Sequence, residues 1–127
     1  MWILIHTGNI RVAIADVYLA CINNNKPEYV RQNQVLLEMI SRERTELSSL
    51  GYKCIVMGDC NARVGHLGIL GERGNDNKIN KNGKLLKNFA TDNHMVILNS
   101  RPICEGKRTD QVIVQYGVIG SQINTKQ

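Results

Sequence analysis

The chain opens with two apolar stretches separated by a short polar turn. Residues 2–6 are mostly apolar and predict a short strand, and residues 7–9 predict a turn because they contain Gly8 and Asn9. Residues 10–20 begin with alternation and become almost wholly apolar, which predicts a strand buried on both of its faces. Two strands joined by a tight turn are expected to form a hairpin.

A long helical pattern follows a polar loop. Pro27 suits the first turn of a helix, and the pattern runs from Glu28 to about Leu50. Gly51 is expected to end this helix. The apolar positions that predict its buried face are Tyr29, Leu36, Ile40 and Leu47, with Val30 and Leu37 beside them.

The remaining pattern predicts a second helix and further short strands. A short apolar strand is predicted over residues 52–57, so that strand, helix and strand follow one another as in α/β proteins. About two dozen loop residues rich in Gly, Asn and Arg come next, and loops of that length are often functional. Asn82-Gly83 is expected to open a helix over about residues 84–91, and strands are predicted over 95–98 and 112–114.

The composition is that of a folded protein with a basic surface. The chain has 127 residues, 43% hydrophobic and 21% charged, which is enough for one domain over residues 1–127. Its net charge of +5 favours polyanionic partners, nucleic acid first. Part of the basic surplus is balanced locally, because Arg42 and Arg44 alternate with Glu43 and Glu46 in a pattern typical of a solvated helix face.

The cysteines favour reduced, separately placed thiols. Cys21, Cys54, Cys60 and Cys104 form no CxxC pair and, with the histidines, no zinc-ligand spacing. This distribution suits an intracellular protein, nuclear or cytoplasmic. The apolar start of the chain is too short for a membrane span and lacks the features of a signal peptide, so no membrane partner is expected.

The strongest local feature is the run Gly58-Asp59-Cys60-Asn61-Ala62 at the end of a predicted strand. Strand ends in α/β sheets are common ligand sites. There Asp59 can orient or deprotonate a water, Asn61 can donate an amide N–H to a developing oxyanion, and Gly58 lets the backbone approach a substrate closely. The alternative is an ordinary turn, since glycine, aspartate and asparagine are common turn residues, and these residues alone favour that alternative.

Four segments, in order, resemble the endonuclease/exonuclease/phosphatase (DNase I-like) superfamily, and most closely the apurinic-type endonuclease domains of non-LTR retrotransposons. Residues 57–65 resemble the GDFNA segment, and Asp16-Val17-Tyr18-Leu19-Ala20 resembles the preceding strand end. The other matching segments are residues 80–86 with Asn93 and 97–100, and residues 104–109 with 121–124. The resemblance spans about Ile10 to Asn124.

This resemblance implies a fold, a cofactor and roles for six residues. The expected fold is a partial two-sheet β-sandwich with flanking helices, and the expected cofactor and partner are Mg²⁺ and DNA. Tyr18 would hydrogen-bond the scissile phosphate, Asp59 would position or deprotonate the water, and Asn61 would support the transition state. The residues expected at the substrate-binding edge are Arg63, Thr109 and Asn124.

The chain also departs from the family pattern. The asparagine and glutamate that hold the metal are expected before Met1, and the Ser-Asp-His segment with the catalytic histidine after Gln127, so no metal ligand is assigned. Cys60 replaces an aromatic residue, Asn124 replaces an aspartate, and His6, His66 and His94 are expected to be surface or loop residues.

Two functions therefore stay open. The first is a fragment of a Mg²⁺-dependent phosphodiesterase or endonuclease, retrotransposon-derived and acting on DNA. Its isolated chain is expected to be inactive, because members of a catalytic unit act together. The second is a non-enzymatic remnant, at most a weak basic nucleic-acid-binding module.

Overall fold

The computed structural model describes residues 1–23, 25–65 and 78–98, together with the backbone of residues 114–116. The predictions for His66, Cys104, Thr109 and Asn124 lie outside these residues, as do the last parts of the family resemblance.

Five strands and two helices make up the described fold, which is mixed α/β as the sequence pattern predicts. The strands form one sheet in the order β1-β2-β3-β5-β4. The strands are β1 (Trp2–Thr7), β2 (Ile10–Tyr18), β3 (Lys53–Asp59), β4 (Met95–Ile97) and β5 (Val114–Tyr116), and the helices are α1 (Glu28–Ser49) and α2 (Lys81–Asp92). A second sheet, as in a DNase I-like sandwich, stays a prediction.

The first two strands form the predicted hairpin, and side chains fasten it to the rest of the molecule. β1 and β2 pair antiparallel around the turn at Gly8 and Asn9. The indole Nε1 of Trp2 donates a hydrogen bond of 2.7 Å to Glu43 of α1. His6 bonds to the hydroxyl of Tyr52, just before β3. The hairpin is therefore anchored at both ends of β1.

β2, α1 and β3 form the predicted crossover, because β2 and β3 pair in parallel on either side of α1. Alternate residues of the two strands point to one face and are buried there. These are Ala13, Ala15 and Val17 of β2 with Cys54 and Val56 of β3. Helix residues complete the core against this face, principally Leu37, Ile40, Leu86 and Phe89.

The prediction that β2 is buried on both faces does not hold within the described residues. Both helices pack on one face of the sheet, so that Asp16 and Tyr18 on the opposite face are exposed and Val12 and Ile14 are only half buried. We call this opposite face the open face. Its other exposed apolar residues are Ile3, Ile5, Ile10 and Met57.

The buried face of α1 differs in part from the prediction. Ile40 and Leu37 are buried as expected, and Tyr29, Leu36 and Leu47 are half buried, but the polar residues Asn33 and Arg44 are buried as well. Arg44, expected on a solvated face, instead donates from Nε to the Oδ1 of Asn93 at 2.8 Å. This interaction joins two helices and was not visible in the local charge pattern.

α2 begins three residues earlier than predicted. Asn80 is its N-cap, because the Asn80 side chain accepts a hydrogen bond from the backbone N–H of Gly83. Asn82 and Gly83, predicted to precede the helix, are buried within its first turn. Neither α1 nor α2, nor any other described segment, forms a helix long and apolar enough to cross a membrane.

Candidate functional site

The candidate site lies where the parallel strands β2 and β3 end side by side. Their register places Tyr18 directly opposite Asp59. The pairing continues one residue further, since the backbone N–H of Leu19 donates to the carbonyl of Asp59 at 3.0 Å. Two residues that the sequence places 41 positions apart thus become neighbours at one edge of the sheet.

Gly58 is needed for this close pairing. Its φ of +137° lies in a region that other residues rarely adopt, and a Cβ atom there would overlap the backbone carbonyl of Val17 in β2. From the sequence, Gly58 was expected to let the backbone approach a substrate closely. In the structure, the neighbour that approaches Gly58 is the adjacent strand, and the consequence is a fixed position for Asp59.

Asp59 and Asn61 form a tight turn after β3. The backbone N–H of Asn61 donates to Oδ1 of Asp59 at 3.1 Å, and Asn61 has a positive φ of +43°. The Asn61 amide Nδ2 donates to the carbonyl of Leu19 at 2.8 Å, which ties the turn to the end of β2. The turn that the residue types favour is therefore present. Its hydrogen bonds hold Asp59 and Asn61, the two residues with predicted chemical roles, in position.

The open face carries polar groups beside this turn. Tyr18 is 64% exposed, so its hydroxyl is accessible to a ligand. Asp16, two residues earlier on the same face, is also exposed and lies opposite Met57. Asp16 was not predicted as a site residue, although the period of two along β2 places it on the face of Tyr18.

Buried asparagines hold the two strand ends together. Asn33 of α1 bonds both backbone groups of Ala20, at 2.9 and 2.8 Å, and donates to Oδ1 of Asn82 at 2.9 Å. The Nδ2 of Asn82 donates to the carbonyls of Ala20 and Cys60 at 3.0 and 3.1 Å, and at 3.4 Å to that of Asn61. A single amide of α2 thereby fixes the segments that follow β2 and β3.

Asn80 extends these contacts to the other side of the turn. Its Nδ2 donates to the carbonyl of Asn61 at 3.0 Å, and its Oδ1 accepts from the backbone N–H groups of Arg63 and Gly83. We refer to Asn33, Asn61, Asn80 and Asn82 as the asparagine network. The sequence motif around Asn80 and Asn82 was noted, but their role in positioning the strand ends was not predicted.

Cys60 lies between Asp59 and Asn61 but points into the core. It is 1% exposed and packs in the main hydrophobic cluster. Burial, and secondarily the negative charge of Asp59, raise the pKa of Cys60 to about 12. Its thiol is therefore protonated near neutral pH, and its side chain fills part of the core.

This burial predicts a clear difference in thiol reactivity. Cys21 is exposed, whereas Cys54 and Cys60 are buried. In the double variant C21S/C104S, we expect the remaining two thiols to react with Ellman's reagent at pH 8 only on unfolding in guanidinium, because burial raises the pKa of each. The variant C104S, which keeps Cys21, is the control and should show one fast thiol. Two fast thiols in C21S/C104S would contradict the described core.

The structure brings together three of the six predicted site residues, namely Tyr18, Asp59 and Asn61. Arg63 is exposed two positions beyond Asn61. Thr109 and Asn124 lie outside the described residues. Of the histidines, His6 bonds Tyr52 near the starts of β2 and β3, at the opposite end of these strands from Tyr18 and Asp59.

The described residues do not by themselves form a site that would hold Mg²⁺. Asp59 and Asp16 offer carboxylate oxygens, which Mg²⁺ prefers. Within residues 1–23, 25–65 and 78–98, however, no group of three or more His, Cys, Asp or Glu side chains is close enough to bind a metal ion.

Comparison with protein-family models, curated proteins and solved structures finds no match for this chain.

Proposed function

We propose that this chain is part of a Mg²⁺-dependent endonuclease domain of the DNase I-like superfamily, of retrotransposon origin and acting on DNA. The observation that carries the proposal is the pairing of Tyr18 with Asp59 at the ends of two parallel strands, with Asn61 fixed beside them. The family resemblance gives these same three residues roles in cleavage: Tyr18 on the scissile phosphate, Asp59 on the water and Asn61 on the transition state.

We assign each of these residues a task that its contacts allow. Oδ1 of Asp59 is engaged by the backbone N–H of Asn61, so we assign the other carboxylate oxygen to orienting or deprotonating an attacking water. The exposed hydroxyl of Tyr18 would donate to a phosphate oxygen. One N–H of the Asn61 amide is bound to Leu19, and the second would donate to the oxygen on which negative charge develops.

A second candidate function is a basic module that binds nucleic acid without cleaving it. The chain carries a net charge of +5. Lys81 and Lys84, exposed residues at the start of α2, lie next to the asparagine network. These positive charges would attract a phosphate backbone whether or not the strand ends are catalytic.

A plasmid-nicking assay separates the two functions. The chain, its D59N variant and a matched D92N variant are incubated with supercoiled DNA and either Mg²⁺ or EDTA. D92N removes one carboxylate from the end of α2, away from the strand ends. Because the isolated chain is expected to be nearly inactive, the enzyme proposal predicts at most residual nicking that needs Mg²⁺. That nicking should fall at least roughly 100-fold in D59N and be unchanged in D92N.

Each outcome of this assay decides between the two functions. Nicking that is equal in D59N and wild type would overturn the assignment of Asp59. If the chain retards DNA in a salt-sensitive way but does not nick it, the binding-module function is supported instead. Neither nicking nor retardation would contradict both.

A further inference from the structure

A groove lies beside the candidate site, between the segment that follows β2 and the start of α2. It has a volume of about 290 Å³, and Ile22 and Ile79 line it together with four polar residues. The polar residues are Asn80, Lys81, Asn82 and Lys84. The groove therefore combines apolar walls with two positive charges.

The two lysines are placed where they do not help the helix. The first turn of an α-helix has a partial positive charge and favours acidic side chains, but α2 has none in its first turn. Lys81 and Lys84 are three positions apart, so they are neighbours on one side of the helix. Their charges add to the positive potential of the helix start, which is unfavourable for α2 alone and favourable for a bound polyanion.

The groove is directly connected to the strand ends. Asn80 and Asn82, which line the groove, both donate hydrogen bonds to the carbonyl of Asn61. The groove therefore adjoins the turn that contains Asn61.

We propose that this groove binds the backbone of the DNA strand next to the strand-end site, with Lys81 and Lys84 contacting its phosphates. Ile22 and Ile79 provide an apolar surface for the sugars or bases between those phosphates. The proposal rests on the proposed function for its partner, DNA, but does not require that the strand ends cleave it.

The proposal is tested by measuring the affinity for a fluorescent DNA duplex by anisotropy at several salt concentrations. The double variant K81Q/K84Q removes the two groove charges. R31Q/R42Q removes two exposed charges from α1 and is the matched control. We expect K81Q/K84Q to lower the affinity roughly 10-fold and to reduce the salt slope by about 2, because each phosphate contact contributes about 0.9 to that slope.

A thermal melt checks that K81Q/K84Q is folded, and the D59N variant separates the groove from the catalytic assignment. K81Q/K84Q should melt at or above the temperature of the wild type, because it removes positive charges from the start of α2. D59N should keep the wild-type salt slope, so failure of the catalytic assignment is distinguishable from failure of the groove. Equal losses of affinity in K81Q/K84Q and R31Q/R42Q would overturn the proposal, as would an unchanged slope in K81Q/K84Q.

Discussion

Replacing Gly58 by alanine is expected to lower the free energy of unfolding by about 3 to 5 kcal/mol, from strain in the backbone and from overpacking. Gly58 has a φ of +137°, and an added Cβ would overlap the carbonyl of Val17. The obstacle is backbone of the adjacent strand, so no side-chain rotation can relieve it. Because small domains are stable by only about 5 to 15 kcal/mol, this is a large part of the total.

Gly51 offers a matched control for this prediction. It also has a positive φ, +87°, but an added Cβ would meet nothing within 4 Å. G51A should therefore cost only the backbone strain, about 1 to 2 kcal/mol. Urea unfolding followed by circular dichroism gives both values. If G58A were no less stable than G51A, the close pairing of β2 and β3 at Val17 would be wrong.

Replacing Asn82 by alanine is expected to cost about 3 kcal/mol or more, since a buried polar group left without its partner costs about 1 to 3 kcal/mol. Asn82 is 1% exposed. Its side chain donates to the carbonyls of Ala20 and Cys60 and accepts from Asn33. The change leaves all three of these groups without that partner.

Two further variants show whether the donors of Asn82 are responsible. Asn88 is exposed on the same helix, so N88A should be neutral or slightly stabilising, because alanine favours helix. N82D keeps the shape but replaces the amide donors by acceptors that face carbonyl oxygens, and should destabilise at least as much as N82A. A loss below about 1 kcal/mol for N82A would show that the asparagine network does not hold the strand ends.

The sequence predicted those features that depend on local pattern. The apolar runs gave both strands of the hairpin and β3, and Pro27 and Gly51 correctly marked the two ends of α1. The order of strand, helix and strand predicted an α/β protein, and in the structure β2 and β3 pair in parallel on either side of α1. That pairing in turn explains why Tyr18 and Asp59, noted separately in the sequence, lie side by side.

Other features could not be predicted because they depend on residues far apart in the chain. Asn33 is a polar residue within an apolar helical face, and its purpose is clear only beside Ala20 and Asn82. Arg44 likewise matched a local charge pattern but bonds Asn93 across two helices. The start of α2 was misplaced because the prediction put Asn82-Gly83 at the opening of the helix, whereas Asn80 is the residue that caps it.

The proposed binding of DNA at the ends of β2 and β3 is tested most directly by amide NMR spectroscopy. A short DNA duplex is added to the ¹⁵N-labelled chain, and shifts are followed for each backbone amide. We expect the largest changes on residues 18–19 and 59–61, with further changes over residues 79–84. Unchanged amides at residues 18–19 and 59–61, while amides elsewhere shift on saturation with DNA, would contradict it.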